Sequence, residues 1–357
     1  MAGINNQAQG AAPRRQWLSW VRVALGLLLL GWVFKKMPTD EFRHLWAESV
    51  YLWPWWIAGF LFTLLGLVAA AFRWYWLLSA QGVNLPATRV FRIFFIGQFF
   101  NAFFPGSCGG DAVRVYYIFK DTTLKRTEAM STVVVDRGVG LLTIVAVACA
   151  MMAWRVPQLI QERWATIIGS LLLLVLLGTG IALYLMFRRH LFHAHDWAKR
   201  LESGWMLGPI LRRVYNAFYV YREHPRTLFG AALLSFINLV GLTFACFAFG
   251  QSLKISVSLA DYFTLFPVIT VLSAIPLTPG ALGVRESLFA ELFVRIGTST
   301  AAAVSLSLLV YIGGLFWSLI GGLMFLSYSS RHGTSFRTEW QRLKAEHQQA
   351  PSPAAET

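Results

Sequence analysis

The stretch Phe104-Pro105-Gly106-Ser107-Cys108-Gly109-Gly110-Asp111-Ala112-Val113-Arg114 interrupts an apolar run with one proline, three glycines and two opposite charges. A helix that simply crosses a bilayer has no use for it, because proline removes a backbone N–H and glycine favours leaving the helix. The segment Pro276-Leu277-Thr278-Pro279-Gly280-Ala281-Leu282-Gly283-Val284-Arg285-Glu286 repeats the order: Pro-Gly, another Gly three residues on, then charge. Paired interruptions in an apolar chain are the pattern of a site held at membrane depth.

The rest of the chain supplies that membrane. Of 357 residues, 56% are hydrophobic and 13% charged, a balance that excludes a soluble domain and predicts an all-α integral membrane protein. Crossing the hydrocarbon takes about 20 helical residues. Six stretches reach that length: Trp17 to Phe34, Val50 to Phe72, Ser131 to Ala153, Trp164 to Phe187, Thr227 to Phe249 and Ala301 to Ser327. Ile93 to Phe104 and Tyr262 to Ile275 are too short and end in the Pro-Gly elements, so each is expected to begin a re-entrant hairpin. Backbone that leaves the helix at that depth must pack on protein or line a wet cavity, since lipid offers it no hydrogen bonds.

Lys and Arg number 31 against 17 Asp and Glu, a net charge of +14 that lies around the spans. No aromatic-basic module accompanies it, so no nucleic-acid partner is expected. Six crossings divide the loops and tails into one set with 21 Lys and Arg and another with 6, which predicts cytoplasmic termini. The first hairpin then enters from the cytoplasm and the second from outside. Span, hairpin, span from Val50 to Ala153 is answered in opposite sense from Thr227 to Ser327. The expected fold is a polytopic helical bundle with two re-entrant broken-helix hairpins in an inverted repeat.

Residues 1–16 read as a cytoplasmic tail, 17–327 as the transmembrane domain and 328–357 as a polar tail with too little apolar area to fold. In the loop 188–226, Leu207, Ile210, Leu211, Val214, Phe218 and Tyr221 recur at helical spacing beside Arg212, Arg213 and Arg222, the pattern of an amphipathic helix on the inner leaflet. Gly314, Ser318 and Gly322 mark a close-packing seam on the last span.

Gly109 and Gly110 leave backbone N–H groups bare at the start of a helix, where Asp111 can cap them and Arg114, one turn on, can join them in holding a phosphate. Asp136 and Arg137 lie inside the third span, where an ion needs a partner or water. Neighbours on a helix diverge by about 100°, so each needs a partner elsewhere, and the first hairpin offers both signs in Asp111 and Arg114. Pro279, Gly280 and Gly283 shape the second break; Arg285 can meet a lipid phosphate, while Glu286 can cap a helix, neutralise Arg285 or move a proton. Cys108, Cys149 and Cys246 have no paired spacing, the seven histidines lie in loops or tails, and no metal or cofactor is expected.

Gly109-Gly110-Asp111-x-x-Arg114, Asp136-Arg137 and Pro279-Gly280-x-x-Gly283-x-x-Glu286 resemble the transmembrane region of lysylphosphatidylglycerol synthases and their stand-alone flippase-like relatives, over about Trp17 to Ser327. The resemblance implies a lipid translocase of a bacterial or archaeal inner membrane. Full-length synthases add a cytoplasmic aminoacyl-transferase domain; about thirty polar residues follow Ser327 here, so synthase activity is not expected. Its implied ligand is an anionic or zwitterionic phospholipid, or an isoprenoid or hopanoid-type lipid. Arg114, Arg137 and Arg285 would meet the phosphate, and Asp111, Asp136 and Glu286 would balance charge or meet an amino group. The alternatives are an intramembrane lipid-modifying enzyme and a non-catalytic partner of a lipid-synthesis enzyme.

Overall fold

A computed structural model describes residues 38–83, 85–103, 109–121, 126–155, 221, 224–274, 278 and 281–331, with scattered positions between 24 and 35 and between 166 and 180. Among them the chain is helical and contains no strand. The helices are α1 (Thr39–Ser49), α2 (Trp53–Ala80), α3 (Ala87–Phe103), α4 (Gly109–Asp121), α5 (Arg126–Trp154), α6 (Pro225–Ser252), α7 (Leu259–Ser273), α8 (Val284–Val294) and α9 (Thr300–Arg331). Four stretches have the length and apolarity to cross a membrane: Thr39–Ala80, Ser131–Trp154, Pro225–Ser252 and Thr300–Ser327. They coincide with four of the six expected spans. Trp17 to Phe34 and Trp164 to Phe187 fall largely outside the described residues, as do Pro105 to Cys108, Pro276, Leu277, Pro279, Gly280, the histidine-rich part of the loop and the C-terminal tail.

Each Pro-Gly element separates two short helices, α3 from α4 and α7 from α8. In the first pair the backbones touch. A Cβ placed on Gly110 would lie 1.9 Å from the Gly97 carbonyl oxygen, so only glycine permits this approach. In the second, Gly283 stands at the N-cap of α8 with φ 82°, a conformation open to glycine at little cost, while Ala281 is held at φ 56°.

Helices α2 to α5 and α6 to α9 form two matched halves. Both α2 and α6 have 28 residues, roughly 42 Å of helix, and both begin with a proline in the first turn. They pack antiparallel along their length. Phe249 lies over Gly59, Asn238 and Leu242 lie beside Gly66, and Trp76 lies over Gly230. The contact is reciprocal: near its start each helix offers a glycine to an aromatic ring from near the end of the other. An added Cβ would come within 2.4 Å of the Phe249 ring at Gly59 and within 2.2 Å of the Trp76 ring at Gly230.

The other neighbours exchange in the same way. α9 packs on α3 and α5 packs on α7, so the last helix of each half lies against the helix that precedes the break in the other. Phe325 of α9 enters the core built by Trp74, Phe94, Phe100, Val113 and Tyr117, while Val145, Ala148 and Met152 of α5 enter the core of Phe249, Tyr262, Phe289 and Phe293. α2 with α5 is matched by α6 with α9, and α2 with α9 by α6 with α5. The two halves thus exchange packing partners, as an inverted repeat would.

Three expectations change in detail. The first described span runs to Ala80 rather than Phe72, so Arg73 belongs to helix and not to a loop. Tyr221, placed on the apolar face of an amphipathic helix, is fully buried against protein, and its hydroxyl donates to the Leu77 carbonyl at 3.0 Å. Burial pushes that phenol up from its ordinary pKa. The α9 seam is also displaced: Gly321 meets the Phe95 carbonyl and Gly322 the Phe99 ring, whereas nothing lies within 4 Å of a Cβ added at Gly314.

Candidate functional site

Asp136 sits on α5 with its side chain 2% exposed, a depth at which an unpaired carboxylate would be costly. Arg73 of α2 donates Nε–H to its Oδ1 at 2.7 Å, and Arg114 of α4 donates Nη1–H to its Oδ2 at 3.4 Å. Arg73 also donates to the Ser235 hydroxyl of α6 at 2.8 Å, tying three helices together. Arg137, the next residue on α5, turns elsewhere and grips Asp111 of α4 with both Nε and Nη2, at 3.0 and 3.1 Å. Asp136 therefore pairs with Arg114 and Asp111 with Arg137, across elements rather than along the helix.

These contacts form a chain of alternating charge, Arg73, Asp136, Arg114, Asp111 and Arg137. It rises from buried to open: Arg114 is 3% exposed, Asp111 17% and Arg137 53% by side chain. The Arg114 guanidinium lies 4.2 Å from the centre of the Phe94 ring and 5.3 Å from that of Trp74. Aromatic faces hold a cation there without neutralising it. Both deep arginines run over a glycine, Arg114 past Gly97 and Arg73 past Gly140, where a Cβ would come within 2.8 and 2.9 Å respectively. Asn101, on the last full turn of α3, accepts the Gly110 N–H at 2.9 Å and so caps α4 from outside. The Asp111 carboxylate is thereby left to Arg137.

The second break is organised otherwise. Glu286 is fully buried and accepts from the Gly283 N–H at 2.7 Å, from the Ser307 hydroxyl at 3.3 Å and from the adjacent Arg285. Arg285 donates as well to Ser307 at 3.2 Å and lies 4.7 Å from the centre of the Tyr311 ring. Two of the three roles open to Glu286, cap and counter-ion, are thus occupied together. Pro279 and Gly280 lie outside the described residues, while Gly283 supplies the capped N–H. Among the described residues no ion pair or hydrogen bond joins the Arg285–Glu286 cluster to the Asp111–Asp136 cluster.

Arg73 was not among the residues singled out by sequence. It follows an unbroken apolar run and reads as the first residue of a loop; the available signal was Asp136, an intramembrane acid in need of a counter-ion. Asn101 was equally unmarked. Among the described residues no group of three or more histidine, cysteine, aspartate or glutamate side chains is arranged to hold a metal.

A multi-pass helical membrane protein with a charge chain buried beside a helix break is the class these observations define. The chain belongs to the family described as the lysylphosphatidylglycerol synthase transmembrane region, whose model matches residues 19–322. It is 27% identical over 338 residues to a UPF0104 membrane protein of Pyrococcus horikoshii, covering 86% of this chain and 95% of that one. A UPF0104 membrane protein of Methanothermobacter thermautotrophicus is 23% identical over 349 residues, covering 89% and 94%. The family is one of membrane proteins linked to lipid handling.

Proposed function

We propose that this protein is a lipid translocase of the cell membrane, with both termini in the cytoplasm, that carries a phosphate-bearing head group between leaflets past the two hairpins while the acyl or prenyl tails stay in the bilayer. The observation that carries this reading is the alternating charge chain beside the first break. It offers a head group a graded path from the half-exposed Arg137 to the buried Arg114. Guanidinium groups suit phosphate because they donate in a planar fork and are held less tightly by water than an ammonium. The second hairpin acts as a closed wall, its charges committed to one another. Both hairpins dip into the bilayer from opposite faces, as the two-fold exchange of packing partners favours.

Leaflet exchange of head-group-labelled phosphatidylglycerol in proteoliposomes tests this. The wild-type chain is expected to accelerate exchange, and Arg114→Gln to slow it on the order of ten- to a hundredfold, the weight of a hydrogen bond to a charged group. Folding is checked by thermal unfolding in detergent. Exchange no faster than in protein-free liposomes sinks the reading, and head-group modification without exchange transfers the protein to the lipid-modifying enzymes.

A further inference from the structure

The two carboxylates of the first cluster are unequally shared among three arginines. Arg73 holds Asp136 at 2.7 Å, and Arg137 holds Asp111 through two bonds at 3.0 and 3.1 Å. Arg114 reaches the same acids only at 3.4 and 3.9 Å, both from Nη1. Its Nε has no hydrogen-bond partner although it is buried. Of the three cations, the most buried is therefore the least tightly paired. Charge-assisted N–H···O bonds close to about 2.7 to 2.9 Å where geometry allows. Here Asp136 has been drawn toward Arg73, which is anchored from its other side by Ser235.

We propose that Arg73 is a positioning residue: by holding Asp136 it keeps Arg114 under-neutralised and ready to exchange its long carboxylate contacts for the phosphate oxygens of an anionic lipid. The inference rests on the translocase reading above and names the ligand chemistry, a phosphate monoester or diester carrying negative charge. Arg137 performs the matching service on Asp111 and, being half-exposed, is the first cation an entering head group meets. Arg73 touches no ligand in this scheme. With its charge removed, Asp136 closes on Arg114 and competes directly with the phosphate.

The competition predicts a reversal that a purely structural role does not. Binding of dihexanoyl-phosphatidylglycerol to the full chain in detergent is measured by titration and by the ligand-induced rise in melting temperature. Arg73→Gln is expected to weaken binding on the order of tenfold, and Arg73→Gln combined with Asp136→Asn to bring it back to within about threefold of wild type. Removing both charges together avoids stranding either one, and Arg73→Lys, which keeps the charge but loses the planar fork, stands in for Arg73→Gln in the same comparison if that variant does not fold. Unchanged binding in Arg73→Gln, or binding as weak in the double variant as in the single one, overturns the inference and leaves the translocase reading standing. A wild-type chain that binds dihexanoylglycerol, which lacks phosphate, as tightly as the phospholipid overturns phosphate recognition. Inorganic phosphate binding as tightly as the lipid moves the site from a lipid to a free anion. No binding of the phospholipid by wild type removes the translocase reading and the inference together.

Discussion

The helix that follows each break carries an acid at its third residue, Asp111 in α4 and Glu286 in α8, and the two have opposite fates. Glu286 is used up by its own surroundings, since it caps its helix, neutralises its neighbour and accepts from Ser307 without exposing any surface. Asp111 is spared the cap because Asn101 performs it, and its carboxylate is left in partial contact with the outside in the grip of Arg137. The corresponding position is a fastening in one half and a partly open contact in the other. What separates them is who caps the helix.

That contrast can be broken by substitution, beginning with the largest expected effect. Glu286→Gln removes the counter-ion of the part-buried Arg285 and weakens the cap, and should lower stability by roughly 3 kcal/mol, read as loss of folded protein and a lower melting temperature in detergent. A mild effect there would place Glu286 with Asp111 among the exchangeable acids. Gly110→Ala forces the α3 and α4 backbones apart and should cost about 1 to 3 kcal/mol, with lipid exchange falling in step because the Asn101 cap is lost with the hairpin. Asp111→Asn should change stability by no more than about 1 kcal/mol, because its partner Arg137 is half-exposed, yet alter the rate of leaflet exchange severalfold. Equal destabilisation by the Asp111 and Glu286 substitutions would erase the difference between the halves. The smallest effect belongs to Gly314→Ala, which meets open space and should stabilise α9 by about half a kcal/mol in the same melting assay.

Much of this was legible in the sequence. The four described spans follow from apolar length, and the helix breaks follow from Pro-Gly chemistry. The cross-pairing of Asp136 and Arg137 with the first hairpin follows from the angle between neighbours on a helix. Packing decided the rest. Arg73 stands at the end of an apolar run, and nothing local distinguishes a charge that snorkels from one that turns inward to a partner 63 residues away. The small residues of α9 gave the right face only in part: Gly314, Ser318 and Gly322 recur every four residues, but the closest approach to α3 is made at Gly321. Tyr221 fits an amphipathic pattern by periodicity, yet a deep hydroxyl bonded to a carbonyl on another helix leaves no trace in spacing.

The glycine notches of α2 and α6 bear on how this molecule can move. The Phe249 ring is lodged against Gly59 at one end of the helix pair and the Trp76 ring against Gly230 at the other, while Gly66 and Gly241 bring the backbones together between them. Sliding either helix by a single residue, about 1.5 Å, would drive both rings into neighbouring turns at once. The pair is therefore keyed like a shaft with a pin at each end: it can serve as a fulcrum but not as a slide. A change of shape around this pair is therefore a tilt or a swing of the surrounding helices.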